Sequence, residues 1–312
     1  MVMQIDSSLA IDSSLATPGL PKLNAFARHE TFHPRFGWLR KGFEKASVDP
    51  GIFLADDAPV QLGVGKNMVR AIRYWCHAFK LLRDDKPTLF GEQLLGNPGL
   101  EQEGWDSYLE DPASLWLLHW HLIESPCQAT AWEFTFNDFR LTEFTVEDLF
   151  YQLCEYRDRE SVRTVDSSLR KDVSCLLRMY VEQATRSSVS EESLDCPFAQ
   201  LGLIHTAGDA RHYVFRVGYK PTLPAAIVVY ACLRYLQAYP ARRVPLAKLL
   251  YDPGSPGVVF RLTESGLSDA IESMARHHDL GISDAAGKLE FFFMGEAAAL
   301  ADVILNDYYT TY

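Results

Sequence analysis

One stretch constrains this chain more than any other: between Lys66 and Leu82, Met68, Val69, Ile72, Trp75, Cys76, Phe79 and Leu82 recur at helical spacing, so they form a single apolar face. Lys66, Arg70, Arg73, His77 and Lys80 fall on the opposite stripe. A helix with one greasy side and one cationic side has to pack by the first, and it then presents the second outward. The Leu62-Gly-Val-Gly65 turn precedes it and the segment from Phe36 to Leu54 can supply an earlier helix, which predicts a helix-turn-helix arrangement. The run Lys86-Pro-Thr-Leu-Phe-Gly91 that follows reads as a short strand and turn of the kind that forms a wing.

Charge distribution sharpens this reading. The whole chain of 312 residues has a formal net charge of −11, which by itself argues against a polyanionic partner. Between Lys22 and Lys86, however, twelve Lys or Arg face seven Asp or Glu, a local excess of +5. Asp6 and Asp12 are the charges of the first 21 residues, which leaves the remainder of the chain at −14. A basic N-terminal unit on an acidic body suits DNA contact at one end and protein partners at the other. A solvated charged face is the plainer alternative.

The expected organisation has four parts. Residues 1–21 repeat Ile-Asp-Ser-Ser-Leu-Ala twice and then run into Thr-Pro-Gly-Leu-Pro, a disordered tail. Residues 22–100 form a winged-helix-like DNA-binding unit. Residues 101–190 form a helical unit with a second helix-turn-helix, in which Thr145 and Asp148 have capping-box spacing and a further helix starts near Asp166. Its apolar side is Leu169, Val173, Leu176, Leu177 and Tyr180, with Arg170, Lys171 and Arg178 on the remainder. Residues 191–312 form an α+β unit, winged-helix-like in one reading, with a strand within 210–217 and a buried helix within 224–239. The fold class is therefore mainly α with small β wings, an α+β chain of winged-helix-like modules. In the two later units the helix pairs are more often packing elements than DNA readers.

Candidate chemistry is sparse. His29-Glu-Thr-Phe-His33 has the spacing of a zinc protease motif, but Pro34 pushes His33 away from helical geometry and a third ligand does not follow. What remains is a cluster of His29, Glu30, Arg35, Arg40 and Lys41, suited to acid-base work or phosphate binding. His119 and His121 flank Trp120 on a helix opened by Asp111-Pro112, where their rings diverge by about 200°; they read as buried or capping groups. Gly63-Val-Gly-Lys-Asn67 lacks the upstream Gly and the Ser or Thr of a phosphate loop. Six scattered cysteines read as reduced core thiols, and Trp105, Trp116, Trp120 and Trp132 as core aromatics. The basic stripe puts Lys66, Asn67, Arg70, Arg73 and Lys80, with Arg40 and Lys41, forward as DNA contacts. No apolar stretch is long enough to cross a bilayer and no signal peptide pattern opens the chain, so a cytoplasmic protein is expected.

Four blocks carry a resemblance: Phe26-Ala-Arg-His-Glu-Thr-Phe32, Gly37-Trp-Leu-Arg-Lys-Gly42, the stretch Leu62 to Trp75, and Gly104-Trp-Asp-Ser-Tyr-Leu-Glu-Asp-Pro-Ala-Ser-Leu-Trp-Leu-Leu-His-Trp120. Through them the chain resembles the bacterial family that includes SspB, the nickase of single-strand DNA phosphorothioation systems. The resemblance implies a protein that cuts one DNA strand and acts with a cysteine desulfurase, an ATPase and an ATP-dependent sulfur-activating enzyme. It also implies that His29, Glu30, Arg35, Gly63, Gly65, Lys66, Asn67, Arg70 and Arg73 recur in the family, whereas a histidine at position 33 does not. Strand cleavage commonly draws on a divalent cation such as Mg2+ or Mn2+. A DNA-binding adaptor without catalysis, recruiting the sulfur-transfer enzymes, and a transcriptional regulator are the alternative readings.

Overall fold

The structure, a computed structural model, describes residues 24–97, 102–182, 196–208, 211–285 and 287–311. The tail expected for residues 1–21 lies outside them. The N-terminal unit begins with an irregular segment, followed by α1 (Trp38–Val48), a 3-10 turn at Ile52–Leu54, α2 (Ala58–Leu62) and α3 (Lys66–Ala78). The apolar face read from the sequence is inside: Val69, Ile72, Trp75 and Cys76 are all buried on α3. α1 crosses α3 closely because Gly42 has no side chain; a Cβ there would meet Ile72 Cγ2 at 2.5 Å and Cys76 Sγ at 2.7 Å.

α3 ends four residues earlier than its apolar spacing suggested. Lys80 takes φ 59°, a left-handed conformation that stops the helix and swings the chain into a two-residue hairpin, β1 (Leu82–Arg83) with β2 (Lys86–Pro87). The wing expected at 86–91 is thus limited to that hairpin, because Thr88 accepts from the Gly91 amide and caps α4 (Leu89–Leu95). A second small ladder, β3 (Gly96–Asn97) with β4 (Gln102–Glu103), closes the unit.

α5 (Pro112–Ile123) is the central helix. Asp111 accepts from the Ala113 amide and Pro112 occupies the first turn, and every residue from Ala113 to Ile123 is buried. The middle unit runs α6 (Thr130–Asn137), β5 (Glu143–Thr145), α7 (Val146–Arg159), α8 (Asp166–Tyr180), β6 (Ile204–Thr206) and β7 (His212–Phe215), with sheet order β5-β7-β6, all antiparallel. The Thr145–Asp148 capping box is formed in full. The C-terminal unit repeats the plan. It runs α9 (Ala225–Leu236), β8 (Arg243–Pro245), α10 (Leu246–Tyr251), α11 (Pro256–Val259), α12 (Glu264–Met274), β9 (Leu280–Ala285) and β10 (Lys288–Phe293), in order β8-β10-β9. Finally α13 (Ala297–Thr311) returns to the front of α5: Tyr308 donates to Asp111 Oδ2 at 3.0 Å, Tyr309 bonds Ser114 at 3.0 Å, and its ring stacks on Trp105. The chain is α+β, helix-dominated with small antiparallel sheets.

Candidate nucleic-acid interface

The segment from Asn24 to Pro34 is an irregular strap, and its geometry explains the His-Glu-Thr-Phe-His run. Ala27, Glu30 and Thr31 have φ of 53°, 50° and 70°, so the two histidines never share a helix face. The strap is held from two sides. α8 supplies Asp172, which accepts from the Ala27 amide at 3.0 Å and pairs with His29 Nε2 at 2.7 Å, and Arg178, which donates to Thr31 O at 2.7 Å. α3 supplies Trp75, whose indole N–H donates to Phe32 O at 2.9 Å.

His29 is fully buried, stacked on Trp75 and edge-on to Trp132. Burial raises the Asp172 carboxyl above its ordinary value, against the opposing pull of His29. Held this way, His29 does not reach the surface; it fixes the strap. Burial and the nearby Arg178 and Arg35 lower His33 to about 4. Its strap neighbours Arg28 and Glu30 face outward, Glu30 with 34 % of its side chain exposed and 3.6 Å from Arg70.

Two clefts meet along the strap and share Ala25 and Arg28. The first, about 760 Å³, lies against α3 and is bordered by Arg28, Lys66, Arg70 and Arg73. The second, about 550 Å³, is lined by Arg28, Glu30, Arg163, Thr164, Ser168 and Lys171 and so reaches the start of α8. Among the described residues Arg28, Lys66, Arg163 and Lys171 make no ion pair, in a chain whose other cations are mostly matched to carboxylates or carbonyls. Arg70 is 56 % exposed and only loosely paired. Together with Arg70 these four cations border the two clefts along the strap.

The sequence-derived contacts divide accordingly. Lys66, Asn67 and Arg70 stand on the surface. Arg73 is held by a fork to Asp85 at 2.8 and 2.6 Å, which His77 also joins at 2.8 Å. Burial alone would raise Asp85, but these bonds keep its carboxyl below the usual range. Lys80, expected on phosphates, turns inward instead: its side chain is 10 % exposed and its ammonium donates to Glu124 O at 2.6 Å and Glu124 Oε2 at 3.2 Å. The turn at φ 59° that ends α3 causes this redirection. Arg40 bonds Glu44 and covers the Tyr108 ring at 3.5 Å, Lys41 donates to Leu62 O, and Arg35 rests 5.2 Å over Trp38; none of these three lines either cleft. Arg28, Arg163 and Lys171 were the missed members. Lys171 was noted on the second helix pair but given a packing role, while Arg28 and Arg163 lie in irregular backbone that periodicity does not mark.

His119 and His121 are buried as expected on α5. His119 bridges Tyr180 OH at 2.7 Å and Val259 O at 3.1 Å, while His121 meets Tyr230 OH at 3.0 Å and Glu124 at 3.3 Å. Burial lowers each to about 4. Among the described residues no three His, Cys, Asp or Glu side chains converge on one point, so the donors present do not fit a protein-built Mg2+ or Mn2+ cage. Five cysteines are buried and Cys154 is half-buried, all as free thiols. No helix among the described residues is long and apolar enough to cross a membrane.

The comparisons with known proteins agree with one another. A family model described as "Protein of unknown function (DUF4007)" matches residues 26–309. Two solved structures are similar over 92 % of this chain and 88 % of theirs at 39 % identity: a magnesium ion-bound SspB, with a TM-score of 0.85, and a second SspB crystal structure, with a TM-score of 0.83. No curated protein matches. The match runs through the strap, α3, α5 and both later units, and the chain belongs to the DUF4007 family, to which SspB-like proteins are its structural kin.

Proposed function

We propose that this protein is a DNA-engaging, strand-nicking component of a bacterial DNA phosphorothioation system, working beside a cysteine desulfurase, an ATPase and an ATP-dependent sulfur-activating enzyme. The observation that carries the reading is the grouping of Arg28, Lys66, Arg163 and Lys171, without ion pairs among the described residues, with Arg70 along two adjoining clefts of a chain whose net charge is −11. Phosphates supply the charge that such a surface lacks.

Strand order supports a winged-helix reading of residues 130–215 and 225–293, since each has a helix, a strand, two or three helices and a hairpin whose last strand lies centrally. The helices in the reading position differ. α8 exposes Arg170, Lys171 and Arg178, whereas α12 exposes Glu264, Asp269 and Glu272. DNA therefore belongs to the α8 side, and the acidic body is left to protein partners.

In this reading Glu30, which lines the second cleft beside Arg28, is the carboxylate for acid-base work, and His29 with Asp172 fixes the strap that carries it. Supercoiled plasmid incubated with the protein in the presence of Mg2+ or Mn2+ tests the proposal. Open-circular DNA should accumulate, and Glu30→Gln should slow it at least tenfold while His29→Ala also disturbs the strap. A gel shift without nicking would assign the non-catalytic adaptor role instead. No shift at all would remove DNA from the account.

A further inference from the structure

The larger cleft has a property that phosphate binding leaves unused. The segment 53–58 lines it with Phe53, Leu54, Ala55 and Ala58, and α3 adds Val69 and Tyr74, so an apolar patch shares the cleft with a cationic border of Arg28, Lys66 and Arg70, and Asp56 is the one carboxylate of the lining among the described residues. Leu54 is 71 % exposed, a large apolar side chain kept in water beside the charges. Gln128 also lines the cleft, and its side-chain amide has no hydrogen-bond partner among the described residues.

Duplex DNA offers a protein phosphates and groove edges, while its base faces stay stacked inside. An apolar cleft of about 760 Å³ is the size of a small-ligand site and far too small for a double helix. A single nucleotide turned out of the stack matches both halves: a flat apolar base for the interior, an anionic backbone for the border, and a hydrogen-bonding edge for an amide that both donates and accepts.

We infer that the cleft between segment 53–58 and α3 receives one unstacked nucleotide of the bound strand, its base against Leu54 and Tyr74, its edge toward Gln128, and its flanking phosphates on Arg28, Lys66 and Arg70. The inference rests on the DNA-engaging reading above and deepens it, because it names a strand with one base out of the stack as the ligand. Strand-selective chemistry then begins from local opening of the duplex at this cleft.

Competition binding with four probes tests it: a short duplex carrying one bulged thymidine, the same duplex with an abasic unit in the bulge, the fully paired duplex, and free deoxythymidine monophosphate. The bulged thymidine should bind at least about fivefold tighter than its abasic counterpart, the scale expected from losing one stacked base. Ala55→Trp, which fills the cleft, should bring that ratio to about one. Leu54→Ala, a change at an exposed position that leaves the core intact, should lower the ratio without unfolding the protein. Equal affinity of the wild type for the two bulged duplexes would overturn the inference while leaving general DNA binding standing. Failure to bind any duplex would overturn both readings, and displacement by the free monophosphate at matched concentration would assign the cleft to a soluble nucleotide instead of a DNA strand.

Discussion

At the scale of single residues, a buried charge is decided by its partners. Glu124 is 8 % exposed, yet Lys80, Arg234 and His121 surround it and hold its carboxyl well below the usual range against the push of burial. Removing one member leaves the others uncompensated. Glu124→Gln is therefore expected to lower stability by about 3 kcal/mol in urea unfolding, and the triple change Lys80→Met, Glu124→Leu and Arg234→Met, which leaves no unmatched charge, by much less. The buried histidines give a pH signature. His119 and His121 fall to about 4 in the folded chain, below the ordinary 6.5. Their folded value is depressed, so the unfolded chain takes up protons first. Stability is full above about pH 6.5 and is lost as pH falls toward 4, by up to ~3 kcal/mol for each histidine. Thermal unfolding between pH 7 and pH 4.5 should show that decline, and His119→Gln should be less stable at pH 7 but flatter across the window.

At the scale of elements, packing sets which faces remain outside. α1 lies on α3 only because position 42 is glycine, and Gly42→Ala is expected to cost about 1–3 kcal/mol by forcing Ile72 and Cys76 apart, read as a lowered midpoint of thermal unfolding. Local signals made several elements legible in the sequence. The apolar spacing of α3, the Asp111-Pro112 opening of α5 and the Thr145–Asp148 box each depend on neighbours a few residues apart, and each is where the sequence places it. The limits of the wing and of α3 were not legible, because a left-handed Lys80 and the Thr88 cap depend on how the following chain packs. The direction of the Lys80 side chain followed from that same turn, toward a Glu124 that lies 44 residues away.

At the scale of the whole molecule, the candidate site is an assembly of distant segments. Asp172 and His29 are 143 positions apart, and the pairing that lays the strap across α3 and α8 leaves no local mark in the sequence. The basic stripe of α3 lines one of the two clefts, whereas the cations that α8 and the strap contribute look unremarkable until the fold brings them beside it. Charge separates α8 from α12 despite their equivalent places in two similar units, since α8 exposes Arg170, Lys171 and Arg178 and α12 exposes Glu264, Asp269 and Glu272.

The central claim is that this assembled cationic surface meets the phosphates, and the salt dependence of duplex affinity tests it most directly. Five cations on Arg28, Lys66, Arg70, Arg163 and Lys171 predict that log K falls against log salt with a slope of about −4 to −5. Arg28→Ala with Lys171→Ala should make that slope shallower by about 2, whereas Glu272→Gln on α12 should leave it unchanged. An unchanged slope in the Arg28, Lys171 double variant, with the wild type still binding DNA, would contradict the account.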